Sequence, residues 1–530
     1  PGTPGGTPPA VDSAVAAAPV RAETTVVATP KVAYRFASVG AAPVSAVMTG
    51  YRSLRRGADS TRRVELARPG VPLLRYRLVV PGDTVDLGRT PFTVQRGAGG
   101  AAAPVTFEAA TRVGRVTISY TFPPDTNGAN AYMLTVRGRV EGPGAQGALL
   151  VELPNGLHSE EADSVENHQH LAVAYKPLRD DARGIAFSKL DPGERQTVPG
   201  PMSWVVSKSK YFLVGLLTPA ADSAGGFAEL RVTGGARTSD EATNMTAEAV
   251  ETLRGGAFDF EMYTGPQEWR RLLAVGRDFE NANPYGGWFQ NIVQPFATIV
   301  MRVLLWMHES FKLSYGWVLV IFGVAIRLAL WPLNQRAMRT QMKMQRLQPQ
   351  MQAVQERHKG DPAKLQQEMM KVYAEHGMSP FSTISGCLPV LLPWPILATL
   401  FFVFQNTIEF RGVPFLWLPD ISLMDPYYIL PLLMAGSMFL LSWIGMRNMP
   451  PNPQAKLMAY MMPALFIFMF WRFAAGLNLY YAVQNIAALP QQWLIANERA
   501  KAGPTPGSGP VGGVAAKASG TPRTPKSRRA

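Results

Sequence analysis

The stretch GWVLVIFGVAIRLALWPL, residues 316–333, decides the fold. Its 18 residues can cross a bilayer at ~1.5 Å per residue, with slight thinning or snorkelling at the ends. One residue does not suit hydrocarbon, and it is Arg327. A guanidinium at that depth costs on the order of 3 kcal/mol, which makes a membrane arginine a functional candidate by default. The other apolar stretches of the chain hold no Asp or Glu, so no fixed counter-ion is available inside a membrane. Either water reaches Arg327 or something acidic visits it.

Working outward, four more apolar stretches follow, at 384–405, 427–446, 457–472 and 476–495, giving five crossings with 316–333. Between the first two, residues 334–379 carry Arg336, Arg339, Lys343, Arg346, Arg357, Lys359, Lys364 and Lys371 against four acids. The connection around 447–456 carries Arg447 and Lys456 without an acid, and the tail 498–530 is basic and of low complexity. Five crossings put all three on one side, and positive charge marks that side as cytoplasmic. The 406–426 connection, with Glu409, Arg411, Asp420 and Asp425, then falls outside, as does everything before the first span. Arg327 lies roughly 9 Å from the cytoplasmic end of its span. Helical side chains lean toward the N-terminus, here the outer side, so snorkelling to the cytoplasm works against that lean. A water-filled cavity open to the cytoplasm accounts better for the charge.

Residues 288–312 place Ile292, Phe296, Ile299, Val303, Leu304 and Met307 at helical spacing, with Arg302, His308, Glu309 and Lys312 opposite. That pattern suits a helix lying in the outer interface; the start of one long helix running into 316 is the other reading. Residues 334–379 read as a cytoplasmic helical hairpin turned at KGDP (359–362), with Asp361 as N-cap and Pro362 first in the helix. Its Met338, Met342, Met351 and Met369 either fill the seam or form a soft apolar contact surface. Pro389, Pro393, Pro395, Pro463 and Pro490 permit kinks in later spans. The last span is the most polar: Tyr481, Gln484 and Asn485 either bond between helices or line the cavity of Arg327.

The residues before the membrane block read differently. Residues 1–30 are a Pro/Gly/Ala-rich linker. No export signal or anchor precedes the exported domain, so a transmembrane helix is expected ahead of Pro1. Residues 31–285 alternate short Val/Tyr/Phe/Thr runs with Pro-Gly, Asn-Gly and Gly-Gly turns, which predicts a large antiparallel β-sandwich. Residues 268–279 are its main helical candidate. HSEEADSVENHQH (158–170) gathers His158, His168 and His170 with Glu160, Glu161 and Glu166, and reads as a solvated loop with no metal-ligand spacing. The net charge of +14 flanks the membrane segments, and no nucleic-acid motif is visible. One cysteine, Cys387, excludes an internal disulfide. No cofactor motif and no phosphate-binding GxxxxGK[ST] occurs, and neither an enzyme nor a metal site is expected.

Several of these stretches also carry a resemblance. IRLALWPL with Arg327, MKMQRLQPQMQAVQER, QQEMMKVYAEHGMSP, GCLPVLLPWPI, FLWLPDISLMDPYYILPLLM and GLNLYYAVQN resemble the YidC/Oxa1/Alb3 family of membrane protein insertases. WVVSKSKYFLVGLLTP and FEMYTGPQEW resemble, more loosely, the periplasmic domain of the Gram-negative YidC type. The resemblance implies a periplasmic supersandwich, then a five-helix core (286–497) around a hydrophilic groove in the inner membrane. Its groove arginine, here Arg327, would receive the polar part of a nascent membrane protein. The hairpin would make first contact, the basic tail would help dock a ribosome, and a Sec translocon is a possible partner. Where relatives often carry a hydroxyl one turn before the arginine this chain has Gly323, and where some carry a glutamine it has Pro393. The groove is then expected to lean on Arg327, Tyr481, Gln484 and Asn485. The rival classes are a small-anion transporter or channel using Arg327, which lacks support from inverted repeats, and an anchored periplasmic module, which would need neither Arg327 nor so polar a last helix.

Overall fold

The computed structural model describes residues 22–59, 61–98, 100–125, 128–219, 225–237, 241–283, 290–375, 394–447 and 453–501. Most of the linker, the tail from 502, residues 384–393 of the second expected span with Cys387, Pro389 and Pro393, and the side chain of Met342 lie outside them. Two compact units are present: Pro1–Trp306 with Ala398–Leu423, and Met307–Leu397 with Met424–Ala530.

The first unit is built on antiparallel strands. Thr24–Ala28, Val32–Ala37, Ala42–Arg52 and Arg63–Glu65 pair in that order, and fourteen further strands form a second sheet. Alternation does the sorting: in Gly114–Thr121, Val116, Ile118 and Tyr120 are buried while their neighbours are not. Phe212–Leu217 is instead buried throughout, in the middle of the ladder between Arg195–Lys208 and Ala257–Pro266. Two of the buried tyrosines pair their hydroxyls. The Tyr76 and Tyr120 hydroxyls meet at 2.8 Å, and Tyr120 donates to the Ala41 carbonyl at 2.7 Å.

Helix α1 (Ser164–Gln169) lies inside the segment expected to be a solvated loop, and that expectation fails. Glu160, Glu161 and Asn167 are buried there. Cations distant in sequence make this possible: Arg62 reaches Glu160 at 2.8 Å and Arg411 reaches Glu161 at 2.9 Å. The helix expected at 268–279 is shorter, α2 (Trp269–Val275), followed by a turn in which Phe279 is fully buried against Trp204 and Tyr263.

Helix α3 (Gln290–Phe311) keeps two apolar faces. Val293, Ala297, Met301 and Leu304 are buried, while Ile292, Phe296 and Ile299 are exposed on the other side. Lys312 then turns into the left-handed region (φ 52), so α3 does not run on into the next helix. Helix α7 (Trp394–Asn406) carries buried Thr399 and Val403 and leads into the 407–423 connection, which packs on the β domain. Ile408 joins the core of the β domain, Glu409 accepts from the Trp269 N–H at 3.3 Å, and the Arg411 guanidinium lies 5.6 Å from the Phe212 ring.

The second unit is helical. Helix α4 (Tyr315–Ala329) ends at Leu330, and α5 (Trp331–Arg357) starts afresh, so the expected span 316–333 is not one helix. Pro332 explains the break, since it has no N–H for the preceding turn. Helix α6 (Pro362–Glu375) packs back on α5, with Asp361 Oδ1 accepting from the Lys364 N–H at 3.1 Å. Met338, Met351 and Met369 are half-buried there. Helices α8 (Ile429–Met446), α9 (Pro453–Phe470) and α10 (Ala475–Lys501) follow, α10 reaching into the expected tail. Helix α10 is the hub, packing on α8, α4 and α5, while α9 packs on α8. Among the described residues only Ile429–Met446 is a single helix long and apolar enough to cross a bilayer. Large apolar side chains nevertheless face outward on α4, α8, α9 and α10; Trp317, Ile321, Leu432, Phe439, Leu465, Phe468 and Trp493 are examples.

Candidate functional site

Helices α4 and α10 meet closely because Gly323 has no side chain. A Cβ there would stand 3.1 Å from Val483 Cγ1 and 3.5 Å from the Tyr480 ring. Polar groups collect along this seam. Gln484 Nε2 donates to the Gly323 carbonyl at 3.0 Å and to the Tyr480 hydroxyl at 2.8 Å. One turn along α4, Arg327 Nη2 donates to Gln491 Oε1 at 3.1 Å, and Gln491 Nε2 donates to the Trp331 carbonyl at 3.0 Å. Gln491 is fully buried, so both its amide ends are committed.

The charge is left over. Arg327 is half-buried, and its Nε is shut away from solvent with no acceptor among the described residues. No carboxylate pairs with it there; its one side-chain acceptor is a neutral amide. A guanidinium presents five donors in a planar fork suited to a carboxylate. The seam therefore holds a guanidinium with one neutral acceptor and one unfilled donor among the described residues.

The expected site residues divide. Arg327, Gln484 and Gly323 come together on the α4–α10 seam. Asn485 turns to α8 instead, donating from Nδ2 to the Met434 carbonyl and the Ser437 hydroxyl, both at 3.3 Å. Tyr481 sets its ring edge-on to Phe470 of α9 at 5.6 Å. Gln491 and Tyr480 were not singled out from the sequence, yet they complete the seam. Helical spacing was the available signal: Tyr480, Gln484 and Gln491 stand four and seven residues apart and share a face, from which Tyr481 and Asn485 are rotated about 100°.

In the β domain the His/acid cluster disperses into separate pairs. Besides the Glu160 and Glu161 pairs, Lys210 reaches Glu166 at 2.8 Å and His168 Nδ1 meets Glu241 at 2.6 Å. Burial beside Lys208 and Lys210 pushes His170 down to about 3, so it is neutral at ordinary pH.

Comparison with known proteins covers both units. A family model of the 60Kd inner membrane protein matches residues 306–502, and one of the YidC periplasmic domain matches residues 24–299. A protein of Prosthecochloris aestuarii described as membrane protein insertase YidC is 30% identical over 434 residues, 78% of this chain and 70% of the relative. One of Cupriavidus metallidurans with the same description is 40% identical over 242 residues, 45% of this chain and 41% of the relative. A solved active YidC insertase with its first transmembrane domain resolved is 17% identical, covers 89% of this chain and 93% of its own, and has a TM-score of 0.34.

Proposed function

The chain belongs to the YidC family of membrane protein insertases, and on that footing we propose that it moves newly made proteins into the bacterial inner membrane through a hydrated groove on the α4–α10 seam. The carrying observation is Arg327, a cation with an unfilled donor and no carboxylate among the described residues.

Insertion by this route needs no covalent chemistry. A wet notch in the inner half of the bilayer shortens the apolar path that a substrate's polar end must cross. Arg327 gives an acidic residue a resting point along the way, and the membrane potential helps a negative charge outward. The apolar segment of the substrate then leaves sideways into lipid, gaining ~0.025 kcal/mol per Å2 buried. Gln484, Gln491 and Tyr480 keep the seam polar, while the outward apolar faces of α8 and α9 meet acyl chains.

The topology belongs to the same proposal. Five spans place the β domain and the 406–426 connection outside, and the hairpin, the 447–456 connection and the tail in the cytoplasm. Packing of 407–423 on the β domain supports this, because the two must share a side to touch. The exposed apolar stripe of α3 suits the outer interface. Met338, Met342, Met351 and Met369 make the hairpin a soft first contact for a nascent chain, the basic tail aids ribosome docking, and a Sec translocon works with the insertase on some substrates.

The test is a stalled nascent chain with an acidic extracytoplasmic tail, offered to variants carrying a photocrosslinker at position 484 or, on the outward face, at 432. Crosslinks at 484 that exceed those at 432 are the expected result. No crosslinks at 484, together with Arg327-dependent uptake of a small anion into vesicles, would instead make the protein a transporter.

A further inference from the structure

The β domain carries a cleft of about 770 Å3 that the groove does not use. Its charge is lopsided. Arg55, Arg56 and Arg68 line it, and none of them pairs with a carboxylate among the described residues. The two acids on its wall are otherwise engaged. Glu161 is neutralised by Arg411 at 2.9 Å, and Asp163 caps α1 by accepting from the Glu166 N–H at 2.9 Å. His158, also on the wall, is held below its ordinary value by burial and is neutral at pH 7.

Arg68 is held in place. Gly156 (φ +138) makes room for it: a Cβ there would come within 2.8 Å of Arg68 Nη2 and 2.7 Å of the Thr243 carbonyl. Nη1 donates to Asn244 Oδ1 at 2.6 Å and Nη2 to the Thr243 carbonyl at 2.8 Å, both neutral acceptors. A half-buried guanidinium fixed by neutral dipoles has its charge in reserve for a ligand. Ser159 supplies a second cue, its hydroxyl shut away from solvent without a partner on the same wall. Val71 and Leu157 add apolar surface beside the charge.

We infer that this cleft binds a phosphoryl group carried on a partly apolar molecule, with Arg55, Arg56 and Arg68 as its cations and Ser159 as a neutral donor. A carboxylate is satisfied by one bidentate arginine, whereas the non-bridging oxygens of a phosphoryl group, three in a monoester and two in a diester, can engage several at once. The same chemistry is offered by a phospholipid headgroup and by a soluble phosphate ester.

Calorimetry on the full chain in a neutral detergent decides the matter, with inorganic phosphate, sn-glycerol 3-phosphate and short-chain phosphatidylglycerol as probes. The inference expects saturable binding of at least one probe, weakened about fivefold or more when Arg55→Ser and Arg56→Ser are combined. Those two arginines are exposed, so the double variant folds as the parent does. Preference for the lipid assigns a headgroup, preference for sn-glycerol 3-phosphate assigns a soluble ester, and preference for inorganic phosphate over both overturns the inference. Arg68→Lys reads the same role through geometry, because an ammonium keeps the charge and loses the fork. Absence of saturable binding for all three probes, or a double-variant loss below fivefold, overturns the inference.

Discussion

At the scale of single residues the proposed function turns on what surrounds Arg327. An amide, not a carboxylate, meets its guanidinium, so the positive charge stays available while the side chain stays oriented. Replacing Gln491 by Leu strands one donor, Arg327 Nη2, and one acceptor, the Trp331 carbonyl that took the Gln491 Nε2–H. The expected cost is about 1–3 kcal/mol, read as a lower unfolding temperature of the purified protein in detergent. Asn485→Ala should lower that temperature too, through α8, but leave the Arg327-dependent step untouched, because Asn485 bonds Met434 and Ser437. The arginine itself was legible in the sequence as a lone charge in an apolar run. Gln491 was not, because polar residues are judged by depth before they are judged by face, and this one sits late in the helix beside Pro490 and Gln492.

At the scale of elements the decisive piece is the 407–423 connection. Arg411 donates to both oxygens of Glu161, at 3.0 and 2.9 Å, and to the Arg52 carbonyl at 3.0 Å, in a site where both charged side chains are almost fully buried. Removing one partner leaves the other buried and uncompensated. Arg411→Ala should therefore cost on the order of 3–5 kcal/mol, whereas replacing both partners by apolar residues of similar size should recover much of the loss. Glu409 adds a pH dependence. Burial pushes its carboxyl up to about 7, and its Oε2 has no partner among the described residues. The folded state thus holds a proton that the unfolded chain releases near the ordinary 4.5, so this contribution is complete below about 4.5 and fades as pH rises through 7. Thermal unfolding at pH 5 and pH 8 should show a smaller gap for Glu409→Gln than for the parent. This connection explains why 158–170 misleads as a sequence. Acidic, His-rich text reads as solvated, and the cation that buries Glu161 lies 250 residues away.

At the scale of the whole molecule, the two kinds of periodicity separate a β-rich half from a helical half without help from coordinates. The breaks were harder to see: Pro332 restarts a helix inside the expected first span, and α10 runs on to Lys501 past its apolar end. Side chains on α8, α9 and α10 face outward with apolar surface, as a bilayer requires, yet length alone does not count the crossings. Topology can be checked in a Cys387→Ser background, with a single cysteine at Arg89 in the β domain or at Lys359 in the hairpin turn. An impermeant maleimide applied to spheroplasts should label the first and spare the second; the reverse pattern would invert the assignment. The most direct measurement is made on living cells. Depletion of the native protein is rescued with Arg327→Lys, Arg327→Ala or Arg327→Glu, and insertion of a small single-span substrate with an acidic tail is followed beside its neutral-tailed twin. We predict that Arg327→Glu lowers insertion of the acidic substrate about tenfold, ~1.4 kcal/mol, with Arg327→Lys mild and the neutral twin little changed. Equal insertion of the acidic substrate by the parent and by Arg327→Glu would contradict the account.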